Sequence, residues 1–299
     1  MISIALATYN GEKYLREQLD SIYGQTYKDI EVVVCDDCST DGTMLILKEY
    51  ENKHGLRVYC NEKNLGYIKN FEKAVLLCRG EYVALSDQDD MWVPQKLETL
   101  MKELGHNLLI FSDLSLVAED GKEIAKSASR YNRVNLRRAL AIQYMAFRNY
   151  INGCTILFRR ELVKKAVPFN PHVPHDYWLA MFALNENRLT YVPDQLVKYR
   201  QHSDNEFGMQ PTTLSNMVIR IAGIKEELAK MILNEQELAS CEKFCDDFKQ
   251  VIRRAAYVCK IITSENTSFF LRCFYFLRYF KYLSQKSFGS WILLRILRQ

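Results

Sequence analysis

Between residues 2 and 104 the chain switches four times between two hydrophobic periods, and no other feature narrows its choice of fold so far. "ISIALAT" (2–8) is a short apolar, β-branched run that stops at "YNG", which reads as a buried strand followed by a turn. "EKYLREQLDSIYGQ" then repeats apolar residues at Tyr14, Leu15, Leu19 and Ile22, the stripe of an amphipathic helix. "IEVVVCDD" (30–37) is a second strand. "STDGTMLILKEYENK" is a second helix, with Ser39 or Thr40 placed to cap it and Asp41 in its first turn. "LRVYCNE" and "EYVALSD" make the third and fourth strands. "NLGYIKNFEKAVLLC" and "PQKLETLMKEL" make the third and fourth helices, Pro94 standing near the start of the last. Such alternation predicts an α/β fold: a mostly parallel sheet flanked by helices on both faces.

Ligands of open parallel sheets sit beyond the carboxyl ends of the strands. At those ends stand "TYNGE", "DDCSTDG", "NEKNLG" and "SDQDD", so polar and acidic groups converge on one edge. Asp87, Asp89 and Asp90 place three carboxylates within four residues, and their repulsion needs an offset. A D-x-D pair on a turn can face one hard cation, and Mg²⁺ or Mn²⁺ prefers oxygen ligands. An EF-hand counted from Asp87 needs Gly at its sixth position, where Trp92 stands. The alternative is a cluster favouring the positive end of the following helix; for Asp90 the two readings are equally good.

Past residue 106 the alternation fades. "LLIFSDLSLV" reads as a strand, and "INGCTILFRRELVKKA" as a turn, a strand and a helix. "PHDYWLAMFALNEN" reads as a helix capped by Asp176, and "LTYVPDQLVKYRQH" as a strand. From about residue 212, helical spacing dominates: Met217, Ile221, Ile224, Leu228 and Ile232.

The set "ALATYNGEKYLREQLDSIYGQTYKDIEVVVCDDCSTDGT", "SDQDDMW", "INGCTILFRREL", "HDYWLA" and "YRQH" resembles family 2 glycosyltransferases across residues 1–207. "DQDDxW" with "HDYW" looks most like members that build bacterial surface polysaccharides, rhamnosyltransferases among them. The resemblance implies a GT-A fold, a nucleotide-sugar donor, and Mn²⁺ or Mg²⁺. It matches Tyr9 to a position packing on the base and Asp37 to the carboxylate that hydrogen-bonds it. Asn64 and Lys69 match polar and basic positions near the nucleotide, with Ala7, Glu12 and Gln88 also counted in that site. Asp87 would face the ribose. Asp89 would face the metal, with His202 as a further ligand or a diphosphate contact. Asp176 matches the base that deprotonates the acceptor hydroxyl, its rival role being an N-cap; His175 would orient it. Gly153 would let backbone approach the donor sugar. Trp92 and Trp178 read equally as a wall for sugar rings or as core.

Composition bounds the rest. Hydrophobic residues are 48% and charged residues 25% of the 299, enough for one large domain and an appendage. We expect a catalytic domain over 1–210 and a helical region over 211–299. The latter is basic: Arg272, Arg278, Lys281, Lys286, Arg295 and Arg298 interrupt a run of Phe, Tyr and Leu. Such a segment suits a membrane surface or a second subunit, and with it a lipid-linked or glycan acceptor. No nucleic-acid-binding motif is visible. The residues predict neither a secretory leader nor a simple membrane span. Nine scattered Cys point to a reducing compartment, hence the cytoplasm or the inner face of the cell membrane. Cys35 and Cys38 form a C-x-x-C without a second pair, better read as small residues beside a strand end than as a zinc or redox site. A G-x-G-x-x-G after the first strand is lacking, which disfavours a dinucleotide enzyme. A nucleotidyltransferase would carry a Gly-rich basic loop where "ATYNGEKY" stands. A non-catalytic sugar-nucleotide-binding scaffold remains the alternative to an enzyme.

Overall fold

The computed structural model describes residues 1–147, 149–202, 233–234 and 236–263. The stripe expected over 217–232 and the basic aromatic run after 267 lie outside them. The chain divides into two compact units: residues 1–131 with 151–208, and residues 132–150 with 209–299. Residues 132–150, expected within the catalytic domain, group with the C-terminal residues.

In the first unit the elements run β1 (Ile2–Thr8), α1 (Leu15–Tyr23), β2 (Ile30–Asp36), α2 (Thr43–His54), β3 (Arg57–Cys60), α3 (Tyr67–Leu77) and β4 (Tyr82–Ser86). There follow β5 (Met91–Trp92), α4 (Lys96–Leu104), β6 (Leu109–Ala118), β7 (Glu123–Ala125) and α5 (Ala128–Tyr131). Four strands pair in parallel in the order β3-β2-β1-β4. Ile2 stands opposite Ile30 on one side and Tyr82 on the other. Ile2, Ile4, Ala5, Leu6 and Val32 to Cys35 are buried, as a sheet covered on both faces requires. From β1 the chain passes to β2 on one flank and later to β4 on the other. The carboxyl end of β1 is therefore the switch point where such sheets bind ligands.

The rest of the sheet is mixed. β8 (Ile156–Arg159) runs antiparallel to both β4 and β6, and β9 (Leu189–Gln201) runs parallel to β6. β5 pairs antiparallel with β9, and β7 with β6. β9 passes through Pro193 because the register slips there: Ser112 faces Val192 but Asp113 faces Gln195, so a bulge takes up the residue that cannot donate.

Between β8 and β9 lie α7 (Glu161–Ala166) and α8 (His175–Asn185). α8 is buried nearly all round, which fits an apolar helix with no polar face. It starts at His175 with Pro174 in the cap position, so Asp176, expected as the N-cap, lies inside the first turn. α2 corrects a second expectation. Gly42 is its cap residue, while Ser39 Oγ is already committed to Asp36 Oδ1 at 2.6 Å.

The second unit holds a 3₁₀ turn (Leu136–Leu140), α6 (Ile142–Met145) and α9 (Asp246–Thr263). α9 packs against α6 and buries Phe248, Ile252, Ala255 and Val258 at spacings of three and four. Among the described residues no helix is long and apolar enough to cross a membrane.

Candidate active site

The turn after β1 is fixed first. Gln88, just beyond β4, accepts from the Tyr9 amide at 2.8 Å and donates to the Tyr9 carbonyl at 2.9 Å. One side-chain amide thus closes both hydrogen bonds of a backbone partner and joins the ends of β1 and β4. Gly11 lies beneath it: a Cβ there would come within 2.3 Å of Gln88 Oε1 and displace that amide from its two bonds. The Tyr9 ring is left exposed, and Ala7 lies within β1 opposite Cys35. Glu12 accepts from the Gly42 amide at 2.9 Å and its own amide donates to Asp41 at 3.0 Å, so it ties this turn to the start of α2.

After β2, Asp36 accepts from Thr8, from the Ser39 hydroxyl and from the Ser39 amide, and so shapes the loop. Asp37 is buried and accepts from Asn61 Nδ2 at 2.6 Å and from the amides of Leu65 and Gly66 at 2.8 and 2.9 Å. Those amides lie just ahead of α3, so Asp37 fixes the turn that leads into that helix. A carboxylate has about four lone-pair positions, which leaves about one of them open. Asn61 is held in turn by Asn70 and Lys73. Asn64 accepts from the Gly66 amide at 3.0 Å. Lys69 bonds Glu72 and the Phe169 carbonyl, which locks α3 to the loop before α8. Cys35 and Cys38 are both free thiols, and Cys38 donates to the Asn61 carbonyl at 3.0 Å.

The turn after β4 carries the carboxylates. Asp89 shares a hydrogen bond with His202 at 2.9 Å, bringing together residues 113 positions apart. The His202 ring packs on Tyr14 with centroids 4.9 Å apart. Asp90 is fully buried; its Oδ1 accepts from the Arg200 amide at 3.2 Å, while Oδ2 has no hydrogen-bond partner among the described residues. Burial and the repulsion of Asp89 and Asp87 hold the Asp90 carboxyl well above its ordinary range. Asp87 is pushed up to about 7, first by burial and then by the charges of Asp89 and Asp176. Asp89 and Asp176 therefore both lie within electrostatic reach of Asp87. Asp176 Oδ1 accepts from the Tyr177 amide at 2.6 Å.

Gly153 faces this end of α8: a Cβ on it would lie 3.0 Å from His175 Nε2 and 3.8 Å from Asp176 Cβ. Both tryptophans belong to the core. Trp178 is buried and its Nε1 donates to the Ala166 carbonyl at 2.7 Å, and Trp92 is buried with its ring against Lys96. The reading of either as a wall for sugar rings is set aside.

Several residues had no role in the sequence reading. Arg200 is almost fully buried and donates to the carbonyls of Asp89 and Glu119 and to the Glu17 carboxylate, stacking on Tyr14. Lys96 is fully buried and donates to the Cys154 carbonyl. Cys154 Sγ and carboxylate oxygens of Asp87 and Asp90 lie within 4.8 Å of one another. Arg200 stood in the open within "YRQH". In "PQKLET" Lys96 has the pattern of a solvated first-turn residue, and no signal marked it.

The family model for Glycosyl transferase family 2 matches residues 3–166. An uncharacterised protein of Mycobacterium tuberculosis is 32% identical over 209 residues, which cover 68% of this chain and 59% of that relative. The chain thus spans little more than half the length of that relative. A putative teichuronic acid biosynthesis glycosyltransferase, TuaG of Bacillus subtilis, is 32% identical over 165 residues, 54% of this chain and 63% of its own length. The crystal structure of S. aureus TarS residues 1–349, in complex with UDP-GlcNAc, matches with a TM-score of 0.62. The match covers 95% of this chain and 81% of that one at 21% identity, a likeness of fold.

Proposed function

Because the chain belongs to glycosyl transferase family 2 and has its GT-A fold, we propose that it moves a sugar from a nucleoside diphosphate donor to an acceptor hydroxyl, with inversion. The donor is a UDP- or dTDP-sugar, rhamnose among the candidate sugars. The acceptor is a glycan or a lipid-linked glycan of bacterial surface polysaccharide assembly, a reading supported by the likeness to TuaG. The observation that supports the proposal is the gathering of acidic groups after β4 and at the start of α8: Asp89 meets His202 at 2.9 Å, and Asp87 feels the charges of both Asp89 and Asp176.

The donor set fits a divalent cation. Asp89 and His202 already meet, Asp87 is beside them, and the buried Asp90 Oδ2, without a hydrogen-bond partner among the described residues, is an atom that a nearby cation would compensate. Carboxylates with one imidazole suit Mn²⁺ or Mg²⁺. Such an ion, when bound, neutralises charge on the departing diphosphate. The chain's own groups do the rest. Asp37 offers its remaining lone pair to an N–H of the base, and the exposed Tyr9 ring packs on the base. Gly153 admits the sugar close to the backbone. Asp176 takes the proton from the attacking hydroxyl as the new C–O bond forms. Residues 268–299 are read as the segment that meets a membrane surface or a second copy of the chain.

The test is product analysis with a panel of UDP- and dTDP-sugars and Mn²⁺. Release of nucleoside diphosphate is expected, and pyrophosphate would indicate nucleotidyl transfer. Loss of a general base costs about 10²–10⁴ in rate. Asp176→Asn should therefore cut turnover by about that factor while UDP still binds. Wild-type turnover in the variant would overturn the role of Asp176.

A further inference from the structure

Lys96, the first residue of α4, has no part in that reading, although it is among the largest fully buried side chains of the molecule. A buried ammonium is costly unless it is hydrogen-bonded and faced by compensating charge. Its Nζ donates to the Cys154 carbonyl at 2.6 Å and lies 3.2 Å from the centroid of the Trp92 ring. Burial lowers its pKa to about 7, and Asp90 and Asp87 partly oppose that by favouring the charged form.

The carbonyl it holds belongs to the short 3₁₀ turn Gly153–Thr155 that leads into β8. That turn touches two halves of the site. On one side the Cys154 thiol approaches the carboxylates of Asp87 and Asp90. On the other, Gly153 abuts His175 and Asp176 so closely that a methyl group would meet His175 Nε2 at 3.0 Å. The turn is a wedge between the carboxylates after β4 and the first turn of α8. Lys96 pins that wedge from the same segment that carries Asp87 to Asp90.

We propose that Lys96 is a positioning residue: by holding the Cys154 carbonyl it seats Gly153 against His175 and Asp176, and so fixes the separation of Asp176 from the carboxylate turn. The proposal rests on the reading of Asp176 as the base.

Lys96→Met keeps the length of the aliphatic stem and removes the amino group with its hydrogen bond. With UDP and Mn²⁺ as probes in calorimetry, its UDP affinity should stay within about threefold of wild type. Release of nucleoside diphosphate from the sugar donor should fall about 30- to 100-fold. Combined with Asp176→Asn, it should add at most about a further threefold loss, because residues that act as a unit are not additive. A merely structural lysine would weaken UDP binding and turnover together and would add its full loss to that of Asp176→Asn; either result overturns the proposal. Should the Met variant not fold, Lys96→Leu, which likewise fills the apolar site without a donor, carries the same three measurements. If Asp176→Asn alone leaves turnover intact, the functional reading has failed. If it removes turnover and Lys96→Met does not, only the positioning role has failed.

Discussion

His175 stacks on Phe71 with centroids 4.1 Å apart, and neither of its ring nitrogens has a partner among the described residues. Burial alone lowers its pKa to about 3. An unfolded histidine titrates near ~6.5, so between that value and 3 the unfolded chain binds more protons than the folded one. Stability is therefore complete above that range and is lost as the pH falls through it. His175→Gln stays neutral throughout and should lack this slope. Between pH 7 and pH 5 the wild type should lose about 2 kcal/mol more than the variant, read from urea midpoints at each pH. Equal losses would mean that His175 takes up its proton in the folded state. The residue scale also shows what a sequence conceals. Asp37, Asp89, Asp176 and His202 were legible as chemistry-bearing residues because carboxylate and imidazole are visible in any motif. Partners were not: nothing in "VCDDCS" tells that Asp37 spends its lone pairs on Asn61, Leu65 and Gly66.

At the scale of elements, β1, β2 and β4 were legible because a largely apolar run of five to seven residues, bounded by turns, fits a doubly covered sheet and little else; β3 is only four residues long and none of them is buried. The helix starts were less so. Ser39 and Asp176 both carry the right chemistry for a cap, yet tertiary partners claim Ser39, and Pro174 takes the place ahead of Asp176. α8 explains why its tryptophan stayed open between wall and core in the sequence. A helix buried nearly all round has no polar face against which a functional aromatic would stand out. Trp178 is 5% exposed, meets Phe182 edge-on at 5.1 Å and bonds the Ala166 carbonyl, so α8 and the end of α7 are joined through it. Trp178→Ala should cost about 3–5 kcal/mol in denaturant unfolding. Trp178→Phe keeps most of the packing and should cost about 1–3 kcal/mol, the lost hydrogen bond and the unpaired carbonyl. UDP affinity should be unchanged in the Phe variant. A fall in affinity without a fall in stability would return the indole to the ligand site.

At the scale of the whole molecule, the parallel half of the sheet was legible and the mixed half was not. The order β4-β8-β6-β9-β5 depends on pairings such as Leu109 with Leu189, which no local pattern encodes. The same holds for the division into units. Residues 132–150 sit between α5 and β8 in the sequence but group with residues 209–299, and α9 covers α6 within that second unit. This bears on the proposed catalytic boundary near 210. A chain ending at residue 208 keeps every site residue, from Ala7 to His202, and the sheet that holds them. It also strips α9 from α6. Such a truncation should still be stabilised by UDP with Mn²⁺, by about 2.7 kcal/mol at a hundred times Kd, because only the folded first unit binds them. Residues 132–150 should meanwhile become the first site of limited proteolysis, having lost the helix that buries them. Thermal melting with and without UDP and Mn²⁺, alongside a timed trypsin digest, reads both effects. Loss of the ligand-induced shift would show that the first unit needs residues 209–299 to hold its site together.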